Sequence, residues 1–466
     1  MEPAWKRWCV VILMIVAMAG GYMLLYALSP LQTALEQKGW SLMAYSRYSS
    51  AESFLNVFCG ILLFAGLLID RLGVKFSGIL AACCMIIGGA INYYALTDSF
   101  AQSAFYIWLD NNLNLPDSAW NITPFCRGMA PSAKLAAVGF MIFGVGIEMS
   151  GVAASRASVG WFKGKELAVA MGVQLAGSRL VVALALWASP RIAAYGGNMN
   201  VDRPLGWMLL ILVIGLLCWL VYGLMDTSKP SAQKDRQTAF ITPLKGLLRN
   251  TVNNRILWLL AAICVAYYAS LIPFYRYATA MLQEALNTSA DSAAGVLASL
   301  PMISALCTPL VCLIPDFRGG AVWLTALGSL FMALCYLIFA CILPLTPYLW
   351  LAYAAIGMLA IASAVISAGL WPLLPRVVPM QSLGSAYASF YWLQSLGLFL
   401  TPLAVAQVMG ESTDYAPAMM LFSMLDVAAL AGAVFLLLYN KSRKLGLNSP
   451  NRIKSGATKT PFNKKC

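Results

Sequence analysis

Long runs of apolar residues recur along the chain, separated by shorter segments that carry most of the polar and charged side chains. A helix that crosses the hydrocarbon core of a membrane needs about 20 consecutive apolar residues, so each run predicts one spanning helix. Twelve runs meet this criterion, at residues 8–28, 45–69, 76–97, 134–157, 166–190, 206–226, 254–278, 290–314, 320–343, 347–374, 384–409 and 415–439.

The longest polar interruption lies at the midpoint and divides the runs into six and six. This pattern is typical of secondary transporters whose binding site lies between two pseudo-symmetric halves. We therefore predict an all-α membrane protein with twelve transmembrane helices in two pseudo-symmetric six-helix bundles. The predicted units are an N-terminal bundle at 1–226 with an extracytoplasmic loop at 98–133, a cytosolic linker at 227–253, a C-terminal bundle at 254–440 and a basic, disordered cytosolic tail at 441–466.

The positions of lysine and arginine predict the orientation in the membrane. The segments predicted to lie outside carry Lys38, Arg127, Lys134, Arg191 and Arg203, whereas most of the 31 basic residues lie in segments on the other side. Cytosolic loops carry an excess of positive charge, so both termini are predicted to be cytosolic. The net charge of +13 is thus explained by topology, and we expect no nucleic-acid partner.

Composition excludes several classes of function. The chain is 61 % hydrophobic and 11 % charged, whereas soluble proteins average about 45–50 % and about 25 %. Histidine is absent, which excludes an imidazole base and a His-ligated zinc. The 12 cysteines lie mostly in apolar runs and show no paired spacing. We predict a protein that is not an enzyme and that has no cofactor or metal.

A compact motif follows the second run: Gly66-Leu-Leu-Ile-Asp70-Arg71-Leu-Gly73-Val-Lys75. Gly73 permits a tight turn, and Asp70 can pair with an arginine or with a helix N-terminus. Arg71 and Lys75 mark the cytosolic side. The motif resembles the signature loop of the major facilitator superfamily, which also lies between the second and third of twelve spans. The resemblance implies that this loop latches the two bundles in the outward-facing state.

Further stretches resemble the dipeptide-transporter branch of that superfamily, over about residues 10–440 but not in the loop 98–133. The resemblance implies facilitated dipeptide transport by a rocker-switch motion. These stretches are Gly146-Ile-Glu148-Met-Ser, Trp161-Phe-Lys-Gly-Lys-Glu166-Leu, Gly172-Val-Gln174-Leu-Ala-Gly-Ser-Arg179, Tyr267-Tyr268 with Pro273-Phe274, and Ala368-Gly-Leu-Trp371-Pro372 with Pro379, Gly384-Ser-Ala-Tyr387, Gln394-Ser395 and Gly397.

Ionisable side chains inside the runs are candidates for function, because inserting each one costs about 2.5–3.5 kcal/mol. We expect Arg47 and Arg276 to reach the membrane interface, since both lie towards the outer ends of their spans. Arg156, at a cytosolic end, is interpreted as a topology or gate residue. The set comprises Arg47, Glu52, Glu148, Arg156, Arg179, Arg276 and Asp426.

Glu148 and Arg179 lie on consecutive antiparallel spans, about 14 Å and about 20 Å from the cytosolic ends at 1.5 Å per residue. In a core about 30 Å thick, both are near the middle. Together they suit a zwitterion, with the ammonium on Glu148 and the carboxylate on Arg179. The family resemblance implies the same roles. The alternative is a structural ion pair between them, which closes in the empty carrier and opens for substrate.

Aromatic residues are predicted to shape the binding site. Trp371 precedes Pro372, where a kink would expose backbone, and the Trp-Pro step matches the family resemblance. Tyr268, Tyr22 and Tyr26 are similar candidates. The alternative is that these rings serve packing or an interfacial belt.

We therefore predict a carrier of small zwitterionic solutes, specifically a dipeptide uniporter. Three alternatives stay open: a proton-coupled peptide symporter using Glu52, Glu148 or Asp426, an organic-anion exchanger, and a receptor or scaffold that does not transport. We expect a multi-pass monomer in the cell membrane, with a lysosomal membrane as the alternative address. Whether an accessory subunit binds is left open.

Overall fold

The computed structural model describes residues 4–116, 123–162, 167–226, 255–378, 383–410, 412 and 414–450. Nearly all of these residues are helical. The described residues form twelve long helices, numbered α1 to α12 in order: Ala4–Tyr26, Leu42–Phe58, Ile61–Leu96, Pro131–Trp161, Leu167–Ala194, Asp202–Met225, Arg255–Leu286, Ala290–Phe317, Ala321–Leu337, Leu349–Leu370, Leu383–Met409 and Ala416–Arg443. Short helices lie at Ser29–Leu31, Gln32–Gln37, Asp98–Ala101, Ala104–Asn112, Ile338–Ile342, Trp371–Leu373 and Leu374–Val377.

The second crossing differs from the uninterrupted span predicted at 45–69. In the described part of the chain, 11 helical stretches are long and apolar enough to cross a membrane, and α2 is not among them. It has 17 residues, and Gly60 in the left-handed region (φ 60°) separates it from α3. A second break at Gly73 (φ 84°, ψ 164°) divides α3. Glycine tolerates this conformation without steric cost, so the second crossing consists of α2 and the start of α3.

The long helices form two bundles with equivalent contacts between them. In the first bundle α1 packs on α5 and α6, and α4 packs on α2 and α3; in the second, α7 packs on α11 and α12, and α10 packs on α8 and α9. The bundles meet where α5 packs on α8 and where α2 packs on α11. If the second six helices repeat the first six, α8 corresponds to α2 and α11 to α5. The two contacts between bundles are therefore related by the predicted pseudo-symmetry.

Glycines permit the closest helix crossings in the N-terminal bundle. A side chain at Gly144 on α4 would collide with the backbone of Glu52 on α2. Gly88 on α3 and Gly139 on α4 face each other, and a side chain on either would meet the carbonyl oxygen of the other. Small residues allow this approach inside a membrane, where helix association depends on packing. As a result, Glu52 lies beside α4, one helical turn from Glu148.

The described part of the outer loop packs on the N-terminal bundle. Its two short helices are each capped at their start, by Thr97 (Oγ1 to Phe100 N, 3.4 Å) and by Ser103 (Oγ to Tyr106 N, 3.2 Å). Lys134 on α4 donates to Asn114 at 2.7 Å. These contacts attach the described part of the loop to the first bundle.

The predicted disordered tail begins with ordered contacts. Leu447 is buried, and its carbonyl oxygen accepts from Arg376 Nη1 at 2.6 Å. Asn448 caps the start of α9, because its carbonyl oxygen accepts from Gly320 N at 2.9 Å and its Oδ1 accepts from Val322 N at 3.0 Å. The prediction of disorder from residue 441 is therefore wrong for residues 441–450. Residues 451–466 and the linker 227–253 lie outside the described residues.

Candidate functional site

Arg179 reaches from the first bundle into the second. It lies on α5, and its guanidinium donates to Ser304 Oγ (2.6 Å) and Ser304 O (3.2 Å) on α8. It also donates to Thr308 Oγ1 on α8 and to Ser367 Oγ on α10, the latter at 3.2 Å. Every described hydrogen bond of this guanidinium is thus made across the boundary between the bundles. The half-buried cation joins them without a neutralising carboxylate among these partners.

Hydroxyl groups behind these partners extend the polar network into the second bundle. Ser304 Oγ and Ser363 Oγ lie 3.1 Å apart. Tyr267 Oη lies 3.0 Å from Ser367 Oγ and donates to Ser363 O at 3.1 Å. Tyr267 is fully buried. Each hydroxyl can donate or accept, so the network can adapt when the group bound to Arg179 changes.

Glu148 is half-buried on α4 and does not pair with Arg179 in the described structure. Its electrostatic neighbours include Tyr22 and Glu52, and Tyr22 also lies beside Ser178, the residue before Arg179. Tyr22 is therefore a neighbour of Glu148 and of the residue that precedes Arg179. The alternative of an ion pair that closes in the empty carrier is not what this structure contains, because Arg179 is directed to hydroxyls on α8 and α10.

Trp371 and Tyr268 contact each other. Trp371 Nε1 donates to Tyr268 Oη at 3.1 Å, and their ring centroids are 6.3 Å apart. Tyr391 on α11 lies 5.7 Å from the Trp371 ring, and Tyr267 lies 4.6 Å from the Tyr268 ring. The two half-buried rings therefore belong to an aromatic cluster beside the hydroxyl network.

A buried ion pair joins the bundles at the outer end of the interface. Arg276 on α7 pairs with Glu52 on α2 and donates to Ser49 O. Tyr45 Oη donates to the Arg276 carbonyl oxygen at 3.2 Å. Arg276 is only 3 % exposed. The expectation that Arg276 extends to the membrane interface is therefore wrong, because its charge is neutralised by Glu52 inside the protein.

Arg47 also differs from expectation. It is buried and donates to Thr123 O at 2.9 Å, so it attaches α2 to the outer loop and does not extend to the interface.

Other contacts close the outer face. Ser46 Oγ lies 2.8 Å from Tyr277 Oη, and Arg191 Nη1 lies 2.9 Å from Asp291 Oδ1.

Asp426 and Arg156 are the remaining ionisable residues of the predicted set. Asp426 on α12 is fully buried, and neither of its oxygens has a hydrogen-bond partner among the described residues. It lies near Ser270 and Tyr336, inside the second bundle. Arg156 is exposed near the cytosolic end of α4, and its role as a topology or gate residue stays a prediction.

The loop motif lies at the cytosolic part of α3. Its backbone is helical apart from Gly73, which takes the left-handed conformation predicted for a turn. Lys75 is exposed, and its methylene groups pack over Gly223 at the end of α6. Gly66 lies within the helical part of the motif, and the side chains of Asp70 and Arg71 lie outside the described part of the structure. The predicted latch between the bundles stays a prediction.

A model of the Major Facilitator Superfamily matches residues 118–402. The chain belongs to the major facilitator superfamily. It is a multi-pass membrane transporter, and the predicted fold class and family resemblance are confirmed.

Among curated proteins, this chain is similar to two that are named as dipeptide transporters. The lysosomal dipeptide transporter MFSD1 of Danio rerio is 28 % identical over 321 residues, which cover 67 % of this chain and 67 % of that protein. The protein of the same name from Homo sapiens is 26 % identical over 398 residues, which cover 83 % of this chain and 76 % of that one.

Solved structures share the fold at low sequence identity. The nucleoside transporter NupG aligns with a TM-score of 0.67 at 14 % identity, over 92 % of this chain and 99 % of that one. A bacterial homologue of the human drug peptide transporters PepT1 and PepT2 aligns with a TM-score of 0.60 at 14 % identity, over 94 % and 99 %.

The sequence analysis did not identify the hydroxyl residues around Arg179. Ser304 and Thr308 are four residues apart on α8, and Ser363 and Ser367 are four apart on α10. Residues with this spacing share a helix face. Paired hydroxyls on two predicted spans were therefore a usable signal. It is a weak one, because such hydroxyls also bond to the carbonyl oxygen one turn earlier, as Thr308 does to Ser304 O.

Proposed function

We propose that this transporter is a dipeptide uniporter in which Arg179 binds the substrate carboxylate and Glu148 binds its ammonium group. The observation that carries the proposal is that the Arg179 guanidinium crosses between the bundles and that its hydrogen-bond partners among the described residues are all neutral. A carboxylate would form stronger, charge-assisted bonds in a fork geometry. Substrate therefore competes for Arg179 with the contact that holds α5 to α8 and α10.

The distance between the two ends of a dipeptide suits two separate anchors. Two extended residues span about 7 Å, so a bound dipeptide keeps its termini apart. Glu148 and Arg179 are not paired in the described structure, and Tyr22 is a neighbour of Glu148 and of Ser178, the residue before Arg179. Trp371 and Tyr268 form the adjacent aromatic surface, which we assign to the substrate side chains.

The contacts at the outer face favour alternating access from an inward-facing state. Glu52, Arg276, Ser46, Tyr277, Arg191 and Asp291 close the outer end of the interface. On α4, Gly144 is buried, whereas Glu148, Gly151 and Ser155 are partly accessible and Arg156 is exposed. The accessible face thus begins at the proposed site and runs towards the cytosolic end. A rocking motion that separates Glu52 from Arg276 would expose the same site to the outer face.

The names of the relatives support the substrate class. They are called lysosomal dipeptide transporters, and both predicted charges are present here. Their names also support a lysosomal membrane as the address of this chain, over the cell membrane expected first. Monomeric function stays part of the proposal.

Dipeptides with blocked termini test the proposed binding mode. Purified protein is screened by thermal shift with a free dipeptide, its N-acetyl form and its C-amide form, since a ligand that binds the folded state raises Tm. We expect a shift with the free dipeptide alone, and none in Glu148→Gln or Arg179→Gln. Glu284→Gln, which changes an exposed carboxylate, should behave as the unsubstituted protein. Equal shifts with all three ligands would contradict the proposal.

Proton coupling is a second candidate, favoured by Asp426. A fully buried carboxyl with two unpartnered oxygens is costly to ionise, so it is suited to carry a proton. In proteoliposomes with an imposed pH gradient, a symporter would accumulate dipeptide above the external concentration, and Asp426→Asn would abolish this accumulation.

The organic-anion exchanger makes a different prediction: Glu148→Gln leaves uptake intact while Arg179→Ala abolishes it.

A further inference from the structure

Two aromatic residues on the short outer helix Ala104–Asn112 extend the lipid-facing surface of α3. The exposed side chains Leu80, Ile87 and Tyr94 are seven residues apart on α3, so they form one stripe along the helix. Side chains on such a stripe of a spanning helix face lipid. Tyr94, at the outer end of α3, marks where this stripe reaches the membrane interface.

Ring contacts continue from the stripe into the short helix. The centroids of Tyr94 and Phe100 are 5.4 Å apart, and those of Phe100 and Phe105 are 6.2 Å apart. Phe105 stacks on Trp108 at 5.9 Å with an angle of 15° between the rings. Phe100 is buried, whereas Phe105 and Trp108 are 46 % and 51 % exposed. An aromatic path therefore leads from the lipid-facing stripe to an exposed pair.

The short helix is held in place beside the first bundle. Leu109 on the same helix is buried, and the helix packs on α4. Lys38 donates to Leu96 O at 2.8 Å and lies 3.6 Å from Asp98, which ties the preceding turn to α3. These contacts fix the direction in which Phe105 and Trp108 point.

We propose that Phe105 and Trp108 insert into the interfacial region of the outer leaflet and anchor the loop 98–133 to the bilayer. Tryptophan is enriched at this depth because its ring combines an apolar body with a polar N–H group. Phe105, stacked on Trp108, adds apolar area beside it. Along the described residues 97–112, the exposed charges are the carboxylates Asp98 and Asp110. The contact is therefore apolar, and a zwitterionic lipid surface is sufficient for it.

Spin labels on opposite sides of the helix test the anchor. Trp108→Cys and the control Asp110→Cys are labelled with a nitroxide; the two positions lie about 200° apart around the helix. Both proteins are placed in phosphatidylcholine vesicles, and the signal of the unsubstituted, equally labelled protein is subtracted. Collisions with oxygen, which concentrates in lipid, and with a water-soluble nickel complex are then measured.

At position 108 we expect more collisions with oxygen than with nickel, and at position 110 the reverse. Equal access of nickel to both positions would overturn the proposal and leave the pair available to a protein partner. A label at 108 that is shielded from both reagents would also overturn it. So would oxygen access that appears only after anionic lipid is added. None of these outcomes depends on the substrate of the transporter.

Discussion

At the scale of single residues, Arg179 has a property that lysine cannot reproduce. Its planar guanidinium bonds to hydroxyls on two helices at once, to Ser304 on α8 and to Ser367 on α10. A lysine ammonium is a point charge without this fork. The charge itself was predictable, since arginine is rare inside a span. Its partners were not, because serine and threonine are common in helices that pack in membranes.

We predict that Arg179→Lys weakens dipeptide binding by about 10- to 100-fold, the effect of losing one charged hydrogen bond worth about 1.5–3 kcal/mol. Isothermal titration of the purified transporter with a dipeptide measures this change. Arg318→Lys, at an exposed position, serves as the control. Unchanged affinity in Arg179→Lys would show that charge alone, and not the fork, holds the carboxylate.

At the scale of helices, close packing rather than hydrophobicity places Glu52 beside Glu148. Gly144 allows α4 to approach the α2 backbone. The apolar runs of the sequence do not predict which helices pack this closely. We predict that Gly144→Ala lowers Tm and transport, because the methyl group would separate the helices. Gly295→Ala on α8 should leave Tm unchanged or raise it, since no atom lies within 4 Å of its added Cβ. Equal Tm values would contradict the account of this crossing.

The start of α9 depends on a residue from the far end of the chain. Asn448 accepts hydrogen bonds from Gly320 N and Val322 N. The composition of the tail predicts disorder because Lys, Arg, Ser and Asn dominate it. Composition cannot predict that one asparagine caps a distant helix. We predict that Asn448→Ala costs about 1 kcal/mol of stability, as loss of a helix cap does. Thermal unfolding measures this, with Ser442→Ala at an exposed site as the control that should not change.

At the scale of the whole molecule, hydropathy predicted eleven of the crossings and the division into two bundles, because it reports burial in lipid directly. It did not predict the form of the second crossing, which is broken at Gly60 and is not apolar enough to be recognised as a span in the described part of the chain. It did not determine the conformational state. That state depends on pairings between distant residues, such as Glu52 with Arg276. Charge patterns within one span cannot identify a partner more than two hundred residues away, which is why the expectation for Arg276 is wrong.

We predict that Glu52→Gln shifts the transporter towards an outward-open state. Removing one partner of a buried ion pair costs about 3–5 kcal/mol, and the cost falls on the closed outer face, where Arg276 would stay buried. Distances between spin labels at the outer ends of α2 and α7 should lengthen. A distance distribution identical to that of the unsubstituted protein would show that the pair does not stabilise closure.

Uptake of a labelled dipeptide into proteoliposomes tests the central claim most directly. The internal concentration is followed to its plateau, with and without an imposed pH gradient, for the unsubstituted protein, Glu148→Gln and Arg179→Ala. A uniporter that uses both charges predicts a plateau at the external concentration under either condition, and no uptake by either variant. Accumulation above the external concentration, or unimpaired uptake by Arg179→Ala, would contradict the account.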